Sequence, residues 1–221
     1  MLGYILSKIN LLILVTAIFA IVSFFAIGLT DITKVTESKE LASRLTEKSF
    51  ALTSSPSYCL SDSYLLPPEL MVAGNEFYYV LAISKRTIGL EDGDEINLLI
   101  FSIYPRSEIT KNFDTGGEYV PKVIAADSFR TNAELNLYSK DYIDDDYTNA
   151  STEKEVIYLD PQAINPGNYL MFIKEIVNGE SFLYVIGCGP TKELCEAEKT
   201  QVVGEIVHPS SPGTEDGGFK C

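Results

Sequence analysis

The pattern of apolar and polar positions changes character near residue 53. Residues 9–30, INLLILVTAIFAIVSFFAIGLT, carry no charge between Lys8 and Asp31. As a helix rising roughly 1.5 Å per residue they match the roughly 30 Å hydrocarbon core of a bilayer. The next stretch, DITKVTESKELASRLTEKSFAL, keeps helical order, with apolar or small residues at Ile32, Val35, Leu41, Ala42, Leu45 and Leu52. That is the spacing of an amphipathic helix. No proline precedes Pro56, and no glycine falls between Gly28 and Gly74. The pattern predicts one helix within residues 1–52, from about Tyr4 to about Leu52 and roughly 70 Å long, transmembrane over 9–30 and amphipathic beyond. Two other readings are weaker. A cleaved signal peptide has a shorter apolar core, although Ala26 and Gly28 offer small residues before Leu29. A buried core helix rarely runs for about twenty uncharged residues.

Past Leu52, TSSPSYCLSDSYLLPPEL loses the helical period, and Pro56, Pro67 and Pro68 forbid a continuing helix. Residues 53–75 read as a neck or first loop. From Glu76 the period becomes two. EFYYVLAISKRTIGL and EINLLIFSIYP flank the turn residues Glu91-Asp92-Gly93-Asp94 and predict an antiparallel hairpin. Both faces of the second strand carry apolar groups, which places it near the middle of a sheet. Short strands are expected over Glu118–Ile124, Glu134–Tyr138 and Glu155–Leu159. Asn178-Gly179 between NYLMFIKEIV and ESFLYVIGC is the strongest hairpin signal, since both residues tolerate the positive φ of a type I′ turn. CGPTKELC follows as a small loop or helical turn, and Gln201–Val207 as a last strand. The fold class is α+β: a long N-terminal transmembrane helix, a mainly antiparallel β head over 76–207, and a polar tail over 208–221.

Charge narrows the partners. The chain has 17 Lys or Arg against 31 Asp or Glu. Residues 1–58 hold five basic and four acidic residues, which leaves twelve against twenty-seven beyond them, a net of −15. So acidic a head is a poor match for phosphate backbones or anionic lipid headgroups, which attract Lys and Arg clusters, and nucleic acid is excluded as a partner. The four cysteines, Cys59, Cys188, Cys195 and Cys221, all follow the apolar run. Six residues lie between Cys188 and Cys195, too wide for a C-x₂-C zinc hook, and one histidine cannot complete a Cys/His site. Disulfides are the better account, and they imply an oxidising compartment. Four cysteines allow three pairings. Cys188–Cys195 closing a local loop and Cys59–Cys221 tying down the C-terminus is the favoured set. Orientation is contested. Lys34, Lys39, Arg44 and Lys48 follow the apolar run, whereas only Lys8 and the amine precede it, so the positive count favours the head inside. The cysteines favour the head outside, and long domains are translocated largely regardless of flanking charge. The expected location is therefore the cell membrane, single-pass, with the head outside the cytoplasm, or an extracellular filament. Asn149-Ala150-Ser151 is a glycosylation sequon compatible with that side.

Candidate chemistry is sparse. Counted from Asp144, oxygen-bearing side chains occupy positions 1, 3, 5, 9 and 12 of a calcium-type loop: Asp144, Asp146, Thr148, Thr152 and Glu155. Asn149 stands where such loops place glycine, Ser151 where they place an apolar residue, and a solvated acidic loop outweighs a calcium site. His208, the single histidine, sits beside Pro209 in the tail without the buried carboxylate partner a triad needs. No cysteine lies in a basic context with a candidate histidine, and no Gly-rich phosphate loop occurs. No catalytic residues and no cofactor are expected, and the chain does not read as an enzyme.

The plan resembles type IV pilin-like proteins, which join a long N-terminal helix, hydrophobic in its first half and amphipathic in its second, to a β-rich head often closed by disulfides. SSPSYCL with the later EFYYVLAISK is also similar to archaeal membrane-anchored surface proteins. The resemblance implies a structural subunit of a cell-surface filament, homo-oligomeric through its helix. Small residues at Thr16, Ala17, Ala20, Ser23, Ala26 and Gly28 would allow neighbouring helices to approach closely. A solitary membrane-anchored binding or accessory protein is the alternative.

Overall fold

One helix, α1 (Leu2–Ser54), runs 53 residues without a break. The computed structural model describes residues 2–89, 95–114, 120–139, 154–163 and 168–197. Helix α1 stops where the sequence requires it to, because Ser55 precedes Pro56 and a residue before proline is pushed out of the α region. Ser38, Leu41, Ala42, Leu45, Ser49 and Leu52 are buried. They form one stripe at three- and four-residue spacing. Its small members let the helix backbone lie close to the head, and the Ser49 hydroxyl donates to Leu45 O at 2.9 Å. Ile32 and Val35, expected on the same stripe, are exposed. Full burial against the head begins only at Ser38, so the apolar surface of α1 continues past Thr30.

Two four-stranded sheets face each other. The first has the order β1-β9-β10-β7, built from β1 (Cys59–Leu65), β9 (Tyr169–Val177), β10 (Glu180–Cys188) and β7 (Glu134–Ser139). The second has the order β6-β5-β4-β8, built from β6 (Ala125–Thr131), β5 (Glu95–Pro105), β4 (Tyr79–Gly89) and β8 (Val156–Leu159). All described pairings are antiparallel except β10 with β7. Leu99, Phe101 and Ile103 of β5 meet Leu170 and Phe172 of β9 and Leu183 and Val185 of β10 in one core, which Leu41, Ala42, Leu45 and Leu52 of α1 complete. The sandwich is joined along one side, where Lys154, just before β8, bridges to Leu137 of β7. On the other side α1 packs chiefly on β6 and also contacts β1, so the helix fills the gap between the two edge strands. Gly187 marks the tightest approach, since a methyl there would lie 2.7 Å from Leu159 Cδ2.

Strand β5 is interior to its sheet, as its doubly apolar pattern predicts. Asn178 and Gly179 have φ of 54° and 90° and close the β9–β10 hairpin. Residues 192–197 form the expected helical turn, with Thr191 Oγ1 accepting from Leu194 N at 3.3 Å. Three expectations are corrected. The neck, 53–75, contains β1, which pairs along its full length with β9, and most of a small hairpin of β2 (Leu70–Val72) with β3 (Asn75–Phe77). Of the strand expected over Glu118–Ile124, the described residues 120–124 are irregular, and β6 occupies the following seven positions. Pro121 has no N–H for a ladder, whereas Ala125 and Phe129 turn inward. Helix α2 (Arg106–Asp114) stands where no element was expected. The expected strand 201–207 and the tail 208–221 lie outside the described residues.

Lys174 secures the helix to the sheet. It is buried on the core face of β9, and its ammonium donates to Thr53 O at 2.8 Å and to Ser55 O. A cation there complements the negative end of the helix and supplies donors to its last carbonyls. Two buried tyrosines set an alkaline limit. Burial, then Tyr64 and Asp160, pushes the Tyr79 phenol well above its ordinary value. Burial, then Glu175, does the same for Tyr184. The folded state therefore keeps these protons at a pH where the unfolded chain has released them. Their stabilisation is complete below about pH 10 and is lost as pH rises through the folded-state values. A constant denaturant midpoint from about pH 8 to pH 9, followed by a fall towards about pH 11, is expected. Tyrosinate absorbance should rise in step with unfolding.

Candidate functional site

The largest unusual surface is the lower half of α1. Large apolar side chains from Ile9 to Leu29, among them Leu12, Phe19, Phe24 and Ile27, are exposed on every side of the helix. The most apolar part has a mean hydropathy of 2.8, and none of it is buried against the rest of the chain. Among the described residues this is one helix long and apolar enough to serve as a membrane anchor or a signal sequence. Two of its hydroxyls are satisfied internally. Thr16 Oγ1 donates to Leu12 O, and Thr30 Oγ1 donates to Ala26 O at 2.9 Å. Neither needs water, so both tolerate an apolar surrounding.

Two basic residues of α1 engage the head. Lys34 Nζ lies 5.2 Å over the Phe77 ring. Lys48 Nζ pairs with Asp62 of β1 at 2.7 Å and lies 5.6 Å over the Tyr64 ring. Arg44 pairs with Glu40 one turn earlier on the exposed side, and that hydrogen bond raises its pKa. A groove of about 400 Å³ opens between Asp31 and Lys34 of α1 and Pro105, Glu108, Lys122 and Val123 of the head. Strand β5 runs from Glu95 to Pro105, so this groove marks the helix-entry end of the head and Glu95 the far end.

Close to the same end, Arg106 Nε donates to Asp160 Oδ2 at 2.6 Å, and Gln162 N donates to Asp160 Oδ1 at 3.0 Å. The Asp160 side chain is fully buried and that of Arg106 is 41 % exposed. Arg106→Ala removes the charged partner of a buried carboxylate, a change costing 3–5 kcal/mol where both groups are buried. With Arg106 partly in water the expected loss is about 2–3 kcal/mol. Denaturant titration checks it, with Arg106→Lys expected to recover part of the loss.

At the far end, a polar crevice of about 700 Å³ is lined by Thr87, Glu95, Asn97, Glu134, Glu180 and Ser181, among others. Two of its polar side chains, Thr87 and Asn97, serve the fold. Thr87 Oγ1 donates to Asn97 Oδ1 at 2.8 Å, and Asn97 Nδ2 donates to Ala133 O at 3.0 Å. Among the described residues no group of three or more His, Cys, Asp or Glu is placed to hold a metal ion.

The residues singled out in the sequence are only partly brought together. Cys188 and Cys195 form a disulfide with Cα atoms 4.8 Å apart, buried against the outer face of the first sheet beside Tyr138 and Ile186. Cys59 is disulfide-bonded, while its expected partner, Cys221, lies outside the described residues. So do Asp144, Asp146, Thr148 and Thr152 of the calcium-type loop, the sequon Asn149, and His208. Glu155 is exposed just before β8, and its backbone carbonyl accepts from Lys85 N at 3.3 Å. Compared with family models, curated proteins and solved structures, the chain matches none.

Proposed function

We propose that this chain is a pilin-like structural subunit of a cell-surface filament or assembly, held together by packing of its N-terminal helix, with its head outside the cytoplasm. The observation that carries the reading is the division of a single unbroken helix. One face of its upper half is buried in the head from Ser38 onwards, while its lower half exposes apolar side chains all round. Such a surface needs a cover, either lipid or the same helices of other copies. A structural role asks no catalysis of the head. The Cys188–Cys195 disulfide supports an oxidising compartment. A second reading, a solitary membrane-anchored binding or accessory protein, is favoured by the large side chains on every side of the lower helix, which lipid alone would cover.

Mass spectrometry and negative-stain microscopy of material sheared from producing cells test the reading. Filaments containing this chain support it, and intact protein found only as non-filamentous membrane material supports the solitary anchor. At exposed Ala20, a charged substitution such as Ala20→Glu is expected to abolish oligomers while the head stays folded. Unchanged oligomers with correct insertion would count against helix packing.

A further inference from the structure

We infer that the helix-entry end of the head rests in the headgroup layer of the bilayer, with the segment around Val120–Ile124 as its contact with lipid. The inference rests on the reading of α1 as membrane-inserted, which it deepens. Height is the first step. The uncharged run ends at Thr30, and residues 31–35 climb only about 8 Å further at helical rise. The interfacial layer on each side of the hydrocarbon is about 5–8 Å deep. Asp31 and Lys34 line the same groove as Pro105, Lys122 and Val123. Those head residues therefore lie at headgroup height once the run Ile9–Thr30 spans the hydrocarbon.

Rigidity is the second step. Helix α1 continues unbroken through this stretch, with the head docked on it from Ser38, so no hinge lifts the head away. The hydroxyls of Thr33 and Thr36 donate back to Leu29 O and Ile32 O at 2.8 and 2.9 Å, which suits a layer poor in free water.

Chemistry is the third step. Val120 is 84 % exposed, Val123 in the same segment is exposed, and so are Ile32 and Val35 on α1. Pro121 brings no N–H that would need a partner. Lys34 and Lys122 flank these apolar groups, and lysines at such a boundary bury their stems and keep their ammonium groups among phosphates. On a head of net −15, this groove is locally balanced, with Lys34 and Lys122 against Asp31 and Glu108, so this end repels an anionic surface less than the rest of the head does.

The test uses the full chain in phosphatidylcholine–phosphatidylglycerol vesicles, with one introduced cysteine per variant carrying an environment-sensitive fluorophore. No described cysteine is free, so the introduced thiol takes the label. Three sites are compared: Val120→Cys, Phe19→Cys in the apolar helix, and Glu95→Cys at the far end of the head. The Phe19 probe is expected to be quenched by acyl-chain nitroxide lipid. The Val120 probe should be quenched by headgroup nitroxide several-fold more than the Glu95 probe, independently of protein density. A quenched Phe19 probe with a Val120 probe as unquenched as Glu95 overturns the inference and leaves membrane insertion standing. An unquenched Phe19 probe overturns membrane insertion itself. A Val120 signal that fades as protein is diluted into more lipid assigns the surface to a second copy of the chain and also overturns the inference.

Discussion

Leu45→Asp is expected to unfold the head. Leu45 has no exposed surface and sits in the core that both sheets share. Losing its burial costs about 2–3 kcal/mol, and placing an unpaired carboxylate in that core costs several kcal/mol more. The sum exceeds about 5 kcal/mol, the lower end of the stability of an ordinary domain. The helix cannot simply turn the residue outwards, because Leu41, Ala42, Ser49 and Leu52 on the same stripe would leave the core with it. Nor can it detach at little cost, since it fills the gap between β6 and β1 and Lys174 holds its end. Near-UV circular dichroism and limited proteolysis of the detergent-solubilised full chain provide the measurement. Phe50→Asp is the matched comparison: Phe50 is 59 % exposed on the same helix, and the change is expected to stay within about 0.5 kcal/mol. Equal damage from both substitutions would refute the assigned docking face.

The parts of this fold that were legible in the sequence rest on local signals. An uncharged run from Ile9 to Thr30, a proline after the last helical turn and Asn178-Gly179 between apolar strands each act over a few residues. What escaped depends on partners distant in the chain. Strand β1 hides in a serine- and proline-rich stretch because CLSDSYL has little apolar alternation of its own, and β9 supplies its pairing from more than a hundred residues away. Lys174 reads as the polar break in FIKEIV, yet its stem is buried and its charge meets the end of α1. The Arg106–Asp160 pair joins residues 54 apart. Of the candidate site, the apolar helix was visible from hydropathy alone. The exposure of Ile32 and Val35 was not, because periodicity gives the direction of a stripe but not the point at which a head begins to cover it.

Phe172→Ala is expected to remove about 3–5 kcal/mol from the head. Phe172 of β9 and Phe101 of β5 belong to opposite sheets, are both fully buried, and meet edge to face with ring centroids 6.3 Å apart. The truncation removes the ring's burial and also leaves a void that two paired sheets cannot collapse to fill, because strand spacing on both sides is fixed by backbone hydrogen bonds. The ring contact itself adds about 0.5–1.5 kcal/mol, and a double-mutant cycle with Phe101→Ala isolates that share. Phe172→Leu keeps most of the volume but loses the edge-to-face contact, and is expected to cost clearly less than the alanine variant. Denaturant titration of the full chain in detergent measures all four proteins against the parent. A loss below about 1 kcal/mol for Phe172→Ala would mean that the sheets do not bury this ring between them. The sandwich would then have to be rebuilt around a different contact. An additive double mutant with large single losses would keep the sandwich and discard only the ring-to-ring contact.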